Sequence, residues 1–90
     1  MSATLVVRHQ VNDYATWRPV YDSLEGLRGR HGCTDARVWQ HADNRNDVLV
    51  THDFPTAEQA AGFAGDPEPE TGMASAGVAG QPQIDIFTVA

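Results

Sequence analysis

Four histidines stand in this 90-residue chain, and His9, His41 and His52 fall in segments that read as β-strands. Histidine ordinarily titrates nearest neutral pH, so one that faces a pocket can move protons. His52 shares alternation parity with Val48, Val50 and Phe54 in the run DVLVTHDF. Phe54 should pack on the alanines of the following helix, which puts His52 on the helix-facing side of the sheet. There it could take a proton from an acidic phenol or methylene. The plain alternative is a histidine satisfied by hydrogen bonds at a strand end. His9 lies on the first strand, expected beside the third. The two histidines then sit near one another or point to opposite faces, and sequence leaves that register open. His41 falls near a hairpin end and reads as exposed. His31 closes a helix, where the dipole favours a cation.

Trp17, Tyr21 and Trp39 are the aromatic side chains expected around such a pocket, where flat walls suit planar ligands. Trp17 and Tyr21 equally fit a helix face buried as ordinary core. Tyr14 and Arg18, near the expected mouth, could orient a ligand's oxygens or simply lie on the surface. Metal chemistry finds little support: there is no H-E-x-x-H or C-x-x-C, and His31-x-Cys33 is a weak pair. Glu68 and Glu70, set between prolines, read as a solvated loop. Asp53 follows His52 directly and points to the opposite face of a regular strand. Gly77 to Gly80 lacks the strand–loop–helix context of a phosphate cradle.

The elements that must position these groups follow from periodicity. Thr4 to Val11 is short and β-rich, and Asn12 and Asp13 stop it. Trp17, Val20, Tyr21, Leu24, Leu27 and Arg28 then recur at helical spacing. Pro19 is tolerated in a first turn, so the regular helix is expected from Arg18, after a separate turn over Asp13 to Trp17. Gly32 is the expected stop. Ala36 to His41 and Asp47 to Phe54 read as a hairpin joined through Ala42 to Asn46. Thr56 with Gln59 gives a capping-box pattern, and Ala57, Ala60, Ala61, Phe63 and Ala64 form an apolar helix face. One short helical turn is expected around Thr71 to Ala76, and a last strand over Gln83 to Val89. The order β-α-β-β-α-β predicts an α+β, ferredoxin-like fold over 1–90: a four-stranded antiparallel sheet with its helices on one face.

The other face is expected to be covered as well. Val6, Leu49, Phe87 and Val89, with Val48, Val50, Ile84 and Ile86, occupy both alternation sets. A chain this short buries only roughly 60–65% of its extended surface, and lone Cys33 cannot form an internal disulfide. A homodimer through the open sheet face is therefore expected. The free cysteine suits a reducing cytoplasm. Formal charge is −6, with 12 acidic residues against 6 dispersed arginines, so no basic stripe is present for nucleic acid or an anionic membrane. An RNA-recognition domain shares the strand order, but DVLVTHDF lacks its basic, aromatic chemistry. No signal peptide or membrane span is visible.

Asp13-Tyr14 with Trp17, then Tyr21, Arg30 and Gly32, resembles the first helix of small proteins in the dimeric α/β-barrel superfamily. Asp53-Phe54 with Ala60 and Phe63 extends the likeness, as do Met73, Ala76-Gly77-Val78, Gly80 and Pro82. The chain thus resembles the antibiotic-biosynthesis-monooxygenase-like group over nearly its whole length. The resemblance implies pairing into a dimeric α/β barrel, with a pocket between sheet and helices in each subunit. Some such proteins oxidise aromatic polyketides with molecular oxygen and neither metal nor flavin; others are cyclases, isomerases or haem degraders. It transfers no catalytic residue by motif. The leading expectation is a cofactor-independent monooxygenase or cyclase-like enzyme acting on an aromatic or polyketide-type small molecule. His52 and His9 would handle protons, Trp17, Tyr21 and Trp39 would wall the pocket, and Tyr14 and Arg18 would orient the ligand. The alternative is a non-catalytic homodimer that binds a small ligand or serves a pathway, and a third reading is haem or metal binding.

Overall fold

Strand β1, Ala3–Val11, alternates buried and more open side chains, with Ala3, Leu5, His9 and Val11 turned inward. The computed structural model describes residues 2–68 and 77–90. After β1 come helices α1 (Tyr14–Ser23) and α2 (Glu25–Arg30), strands β2 (Asp35–His41) and β3 (Asn44–Phe54), helix α3 (Ala57–Ala64) and strand β4 (Val78–Thr88). The sheet is antiparallel throughout, in the order β2-β3-β1-β4, so β1 and β3 are central. This is the ferredoxin-like βαββαβ arrangement, with the first helical unit split in two. The turn expected around Thr71 to Ala76 lies outside the described residues.

The first helix starts earlier than expected. Asp13 caps it, its carboxylate accepting from the Ala15 N–H and the Thr16 hydroxyl, while Asn46 Oδ1 accepts from the Tyr14 N–H at 3.0 Å. These bonds fix a helical turn before Arg18, so Pro19 sits inside α1 rather than at its start. A proline there removes one helical hydrogen bond and crowds the preceding turn, at a cost of about 3 kcal/mol in an isolated helix. The helix breaks at Leu24 and resumes as α2, keeping Trp17, Tyr21, Leu27 and Arg28 on the buried side. Gly32, at φ +87°, ends the unit.

The hairpin is tighter than expected, because only Ala42 and Asp43 lie between the strands. The His41 ring accepts from the Asp43 N–H at 3.0 Å and braces that turn. β4 begins five residues early. Gly80 and Pro82, which precede the strand expected from Gln83, lie in a bulge opposite His9 on an edge strand. Edge strands tolerate both residues. The capping box at α3 forms, with Thr56 Oγ1 accepting from the Gln59 N–H.

The core occupies the seam between sheet and helices. At one end Leu5, Phe54, Ala60 and Phe63 cluster with Leu27; at the other Val48, Val50, Trp17 and Tyr21 cluster with Val11. Val7 packs against both. On the far side of the sheet the register groups Val6, Leu49, Trp39 and Phe87 with Arg8, Asp47 and Thr51. Trp39 is 49% and Phe87 57% exposed there. Among the described residues no helix is long and apolar enough to cross a membrane.

Candidate functional site

Alternation along β3 turns Val48, Val50, His52 and Phe54 toward the helices. The helical stripe of α1 and α2 brings Tyr21 above His52. The Tyr21 hydroxyl and His52 Nε2 lie 2.7 Å apart, both residues buried. The imidazole stacks near the Tyr21 ring and meets Phe63 edge-on, with centroids 5.5 Å apart. Burial, aided by the nearby Arg28 charge, pushes the His52 pKa down to about 4, so its imidazole is neutral at pH 7. Burial raises the Tyr21 phenol, which keeps its proton. With Tyr21 donating, His52 carries its proton on Nδ1; in the other tautomer Nδ1 presents a lone pair. In either form Nδ1 is buried without a hydrogen-bond partner among the described residues. An unmet buried group of this kind costs about 1–3 kcal/mol.

Tyr21 is held from both sides. Trp17 stacks on it at 4.9 Å between centroids, and the Arg28 guanidinium carbon stands 4.3 Å from its ring centre. Arg28 Nη1 also donates to the Tyr21 carbonyl oxygen at 3.0 Å. Beside this group a groove of about 500 Å³ runs between the helices and β2. Tyr21 and Arg28 form its helical wall, Cys33 and Thr34 its end, and Ala36 and Val38 its strand wall. Burial pushes the Cys33 thiol up, so it stays protonated.

His9 faces the same side as His52, but not beside it. His9 pairs with Val48 and His52 with Leu5, a separation of four positions along β1, or roughly 13 Å. The Trp17–Tyr21 stack spans the interval, with the His9 and Trp17 rings 5.5 Å apart. Both His9 ring nitrogens and Trp17 Nε1 are buried without partners among the described residues, and burial lowers the His9 pKa.

Trp39 does not share the pocket expected for it. It pairs with Leu49 on the far face of the sheet, where its indole N–H donates to Thr51 Oγ1 at 3.3 Å. Alternation separates it from Val38, which does line the groove. Tyr14 and Arg18 lie on the helix side but hold each other: Arg18 Nη1 donates to the Tyr14 oxygen, and its Nε to Asp22, each at 2.9 Å. Arg18 lines the groove rim with its charge already paired. Arg28, Phe63 and Cys33 were not among the expected site residues. The signal for Arg28 was present in the sequence, as a charged residue seven positions from Tyr21 on the same apolar stripe. Among the described residues no three His, Cys, Asp or Glu side chains converge on a metal position.

No family model matches the chain, and no curated protein does. Solved structures do match. SnoaB, a cofactor-independent oxygenase from Streptomyces nogalater, superposes with a TM-score of 0.79 at 16% identity, over 99% of this chain and 93% of that one. A candidate antibiotic biosynthesis monooxygenase of Bordetella bronchiseptica gives 0.81 at 13% identity, over 99% and 97%. A conserved protein of Methanosarcina mazei Go1 gives 0.76 at 17% identity, over 97% and 91%. The chain therefore shares the ferredoxin-like subunit fold of these structures, the fold that the sequence resemblance implied.

Proposed function

We propose that this protein is a cofactor-independent oxygenase or cyclase-like enzyme acting on an aromatic small molecule, and that it works as a homodimer. The observation that carries the reading is the buried Tyr21–His52 pair, with an unmet Nδ1, beside a groove of ligand size. In an oxygenation without cofactor the protein must generate and shelter a substrate carbanion. Tyr21 lines the groove and His52 stands behind it, so a proton from an acidic methylene reaches His52 Nε2 through the Tyr21 hydroxyl, which gives up its own proton as it takes the substrate's. Desolvation penalises an isolated imidazolium, but a carbanion left across Tyr21 offsets that penalty. The carbanion then reduces oxygen; overall a methylene and O₂ become a carbonyl and water, with no external reductant. Likeness of fold to SnoaB supports the class of chemistry. The homodimer would form through the open face carrying Val6, Leu49, Trp39 and Phe87.

One observation favours a second reading, a non-catalytic ligand-binding dimer. Trp17 is fully buried and Phe63 nearly so, and together they fill much of the helix–sheet seam. Turnover separates the two readings. Wild type, His52→Ala and Tyr21→Phe are incubated with 1,8-dihydroxyanthrone, with and without oxygen. Oxygen-dependent quinone formation above buffer, lost in His52→Ala, is expected. Product formation by wild type no faster than buffer would leave the binding reading in its place.

A further inference from the structure

The arginines of this chain are paired in an unusual pattern. Arg8, Arg18, Arg30 and Arg37 each hold a carboxylate, on Asp47, Asp22, Glu68 and Asp35, and all four have largely exposed side chains. Exposed pairs add little stability. Arg28 is only 7% exposed, and among the described residues it has no carboxylate partner. Among the described residues its guanidinium makes a single hydrogen bond, from Nη1 to the Tyr21 carbonyl, although a guanidinium offers five N–H donors. The Tyr21 ring compensates part of the charge by a cation–π contact at 4.3 Å. A buried cation without an anion is costly, and this one lines a groove of about 500 Å³.

The neighbouring acids do not fill the gap. Asp22 and Asp35 line the groove but are engaged by Arg18 and Arg37. Glu25, on the exposed rim, makes no ion pair with Arg28. Cys33, at the groove's end, remains a neutral thiol. The groove thus has an acidic rim and a single unpaired cation in its wall.

We infer that the ligand of this groove is an aromatic oxyanion, a ring bearing a carboxylate or an ionised oxygen, and that Arg28 receives the anionic oxygen. The inference rests on the reading of the groove as the ligand site. It adds Arg28 as the residue that sets charge specificity. A planar guanidinium suits two-point recognition of a carboxylate, and a charge-assisted contact of this kind is worth about 10- to 100-fold in affinity.

The test uses 2-naphthoate and 2-naphthamide, which share a ring system and differ in charge, titrated calorimetrically into wild type, Arg28→Gln, Arg28→Lys and Ala36→Phe. Wild type should bind naphthoate at least about tenfold more tightly than naphthamide. Arg28→Gln should lose that preference and Arg28→Lys keep part of it. Ala36→Phe narrows the groove with Arg28 intact and should weaken both probes. Equal affinities for the two probes, no naphthoate binding at millimolar concentration, or an undiminished preference in Arg28→Gln would overturn the inference. If Arg28→Gln does not fold, a full preference in Arg28→Lys or unchanged binding in Ala36→Phe serves the same purpose. Naphthoate bound through Arg28 in a protein that does not turn over the anthrone would end the oxygenase reading and leave this one standing.

Discussion

Acidification from pH 7 to pH 5 should destabilise this protein chiefly through His52. Its pKa falls from the ordinary 6.5 to about 4 on folding. A lowered histidine pKa means the unfolded chain binds the proton more readily, so the stabilisation is complete above pH 6.5 and is lost as pH falls toward 4. The whole interval, 2.5 pKa units, corresponds to about 3 kcal/mol, and the part spent by pH 5 to about 2 kcal/mol. For a domain of this size that lowers Tm by roughly 10 °C. The carboxylates of Asp47 and Asp66, lowered by Arg8 and His31, act below this window. His9, lowered by its own burial, acts in the same direction as His52. The comparison is therefore between wild type and His52→Gln, which keeps a neutral partner for the Tyr21 hydroxyl and retains His9. Melting curves at pH 5, 6 and 7, at one protein concentration, should show a markedly flatter profile for the variant. Parallel profiles would refute the assignment of a buried, neutral His52.

Two further outcomes follow from the same packing. His9→Leu replaces two unmet buried nitrogens with an apolar side chain of similar bulk, and should raise stability at pH 7 by about 1 kcal/mol or more; an unchanged or lower urea midpoint would show that those nitrogens are satisfied. Trp39→Asp puts a charge on the open face beside Leu49 and should convert a dimer into a monomer by sedimentation velocity, with the helix–sheet core still folded by circular dichroism. An unchanged sedimentation coefficient would remove this face from the interface.

Strand order was legible because alternation and turn residues survive in a single sequence. The face of His52 was legible for the same reason, since Phe54 shares its parity and packs on Ala60 and Phe63 of α3. Trp39 went astray because its aromatic character suggested a pocket wall, while its parity, opposite to Val38, sends it to the far face. The relation of His9 to His52 depends on which residues pair across β1 and β3, and strand patterns do not encode that. The start of α1 was hidden by Pro19, whose local preference is overruled by the Asp13 cap and the Asn46 contact 32 positions away. Arg28 was visible on the apolar stripe, but its significance lies in lacking a carboxylate. That emerges only when the partners of every other buried and exposed charge are known.

Among the described residues, the buried side-chain atoms without partners share one location. His9 Nδ1 and Nε2, Trp17 Nε1 and His52 Nδ1 all lie along the helix–sheet seam, and the Trp17–Tyr21 stack runs between them. An unmet buried polar group costs about 1–3 kcal/mol, a large share of the 5–15 kcal/mol that usually separates a folded domain from its unfolded chain. Leucine at 9 and 52 and phenylalanine at 17 would fill similar space without that cost, so stability does not account for the polar choices. Arg28 adds a buried charge to the same seam. None of the three residues that carry these atoms lines the groove; they stand behind the wall that Tyr21 and Arg28 form. Tyr21 links the two, since it lines the groove and its hydroxyl lies 2.7 Å from His52 Nε2, and a polar layer kept behind that wall at a cost in stability is the trade expected of a site.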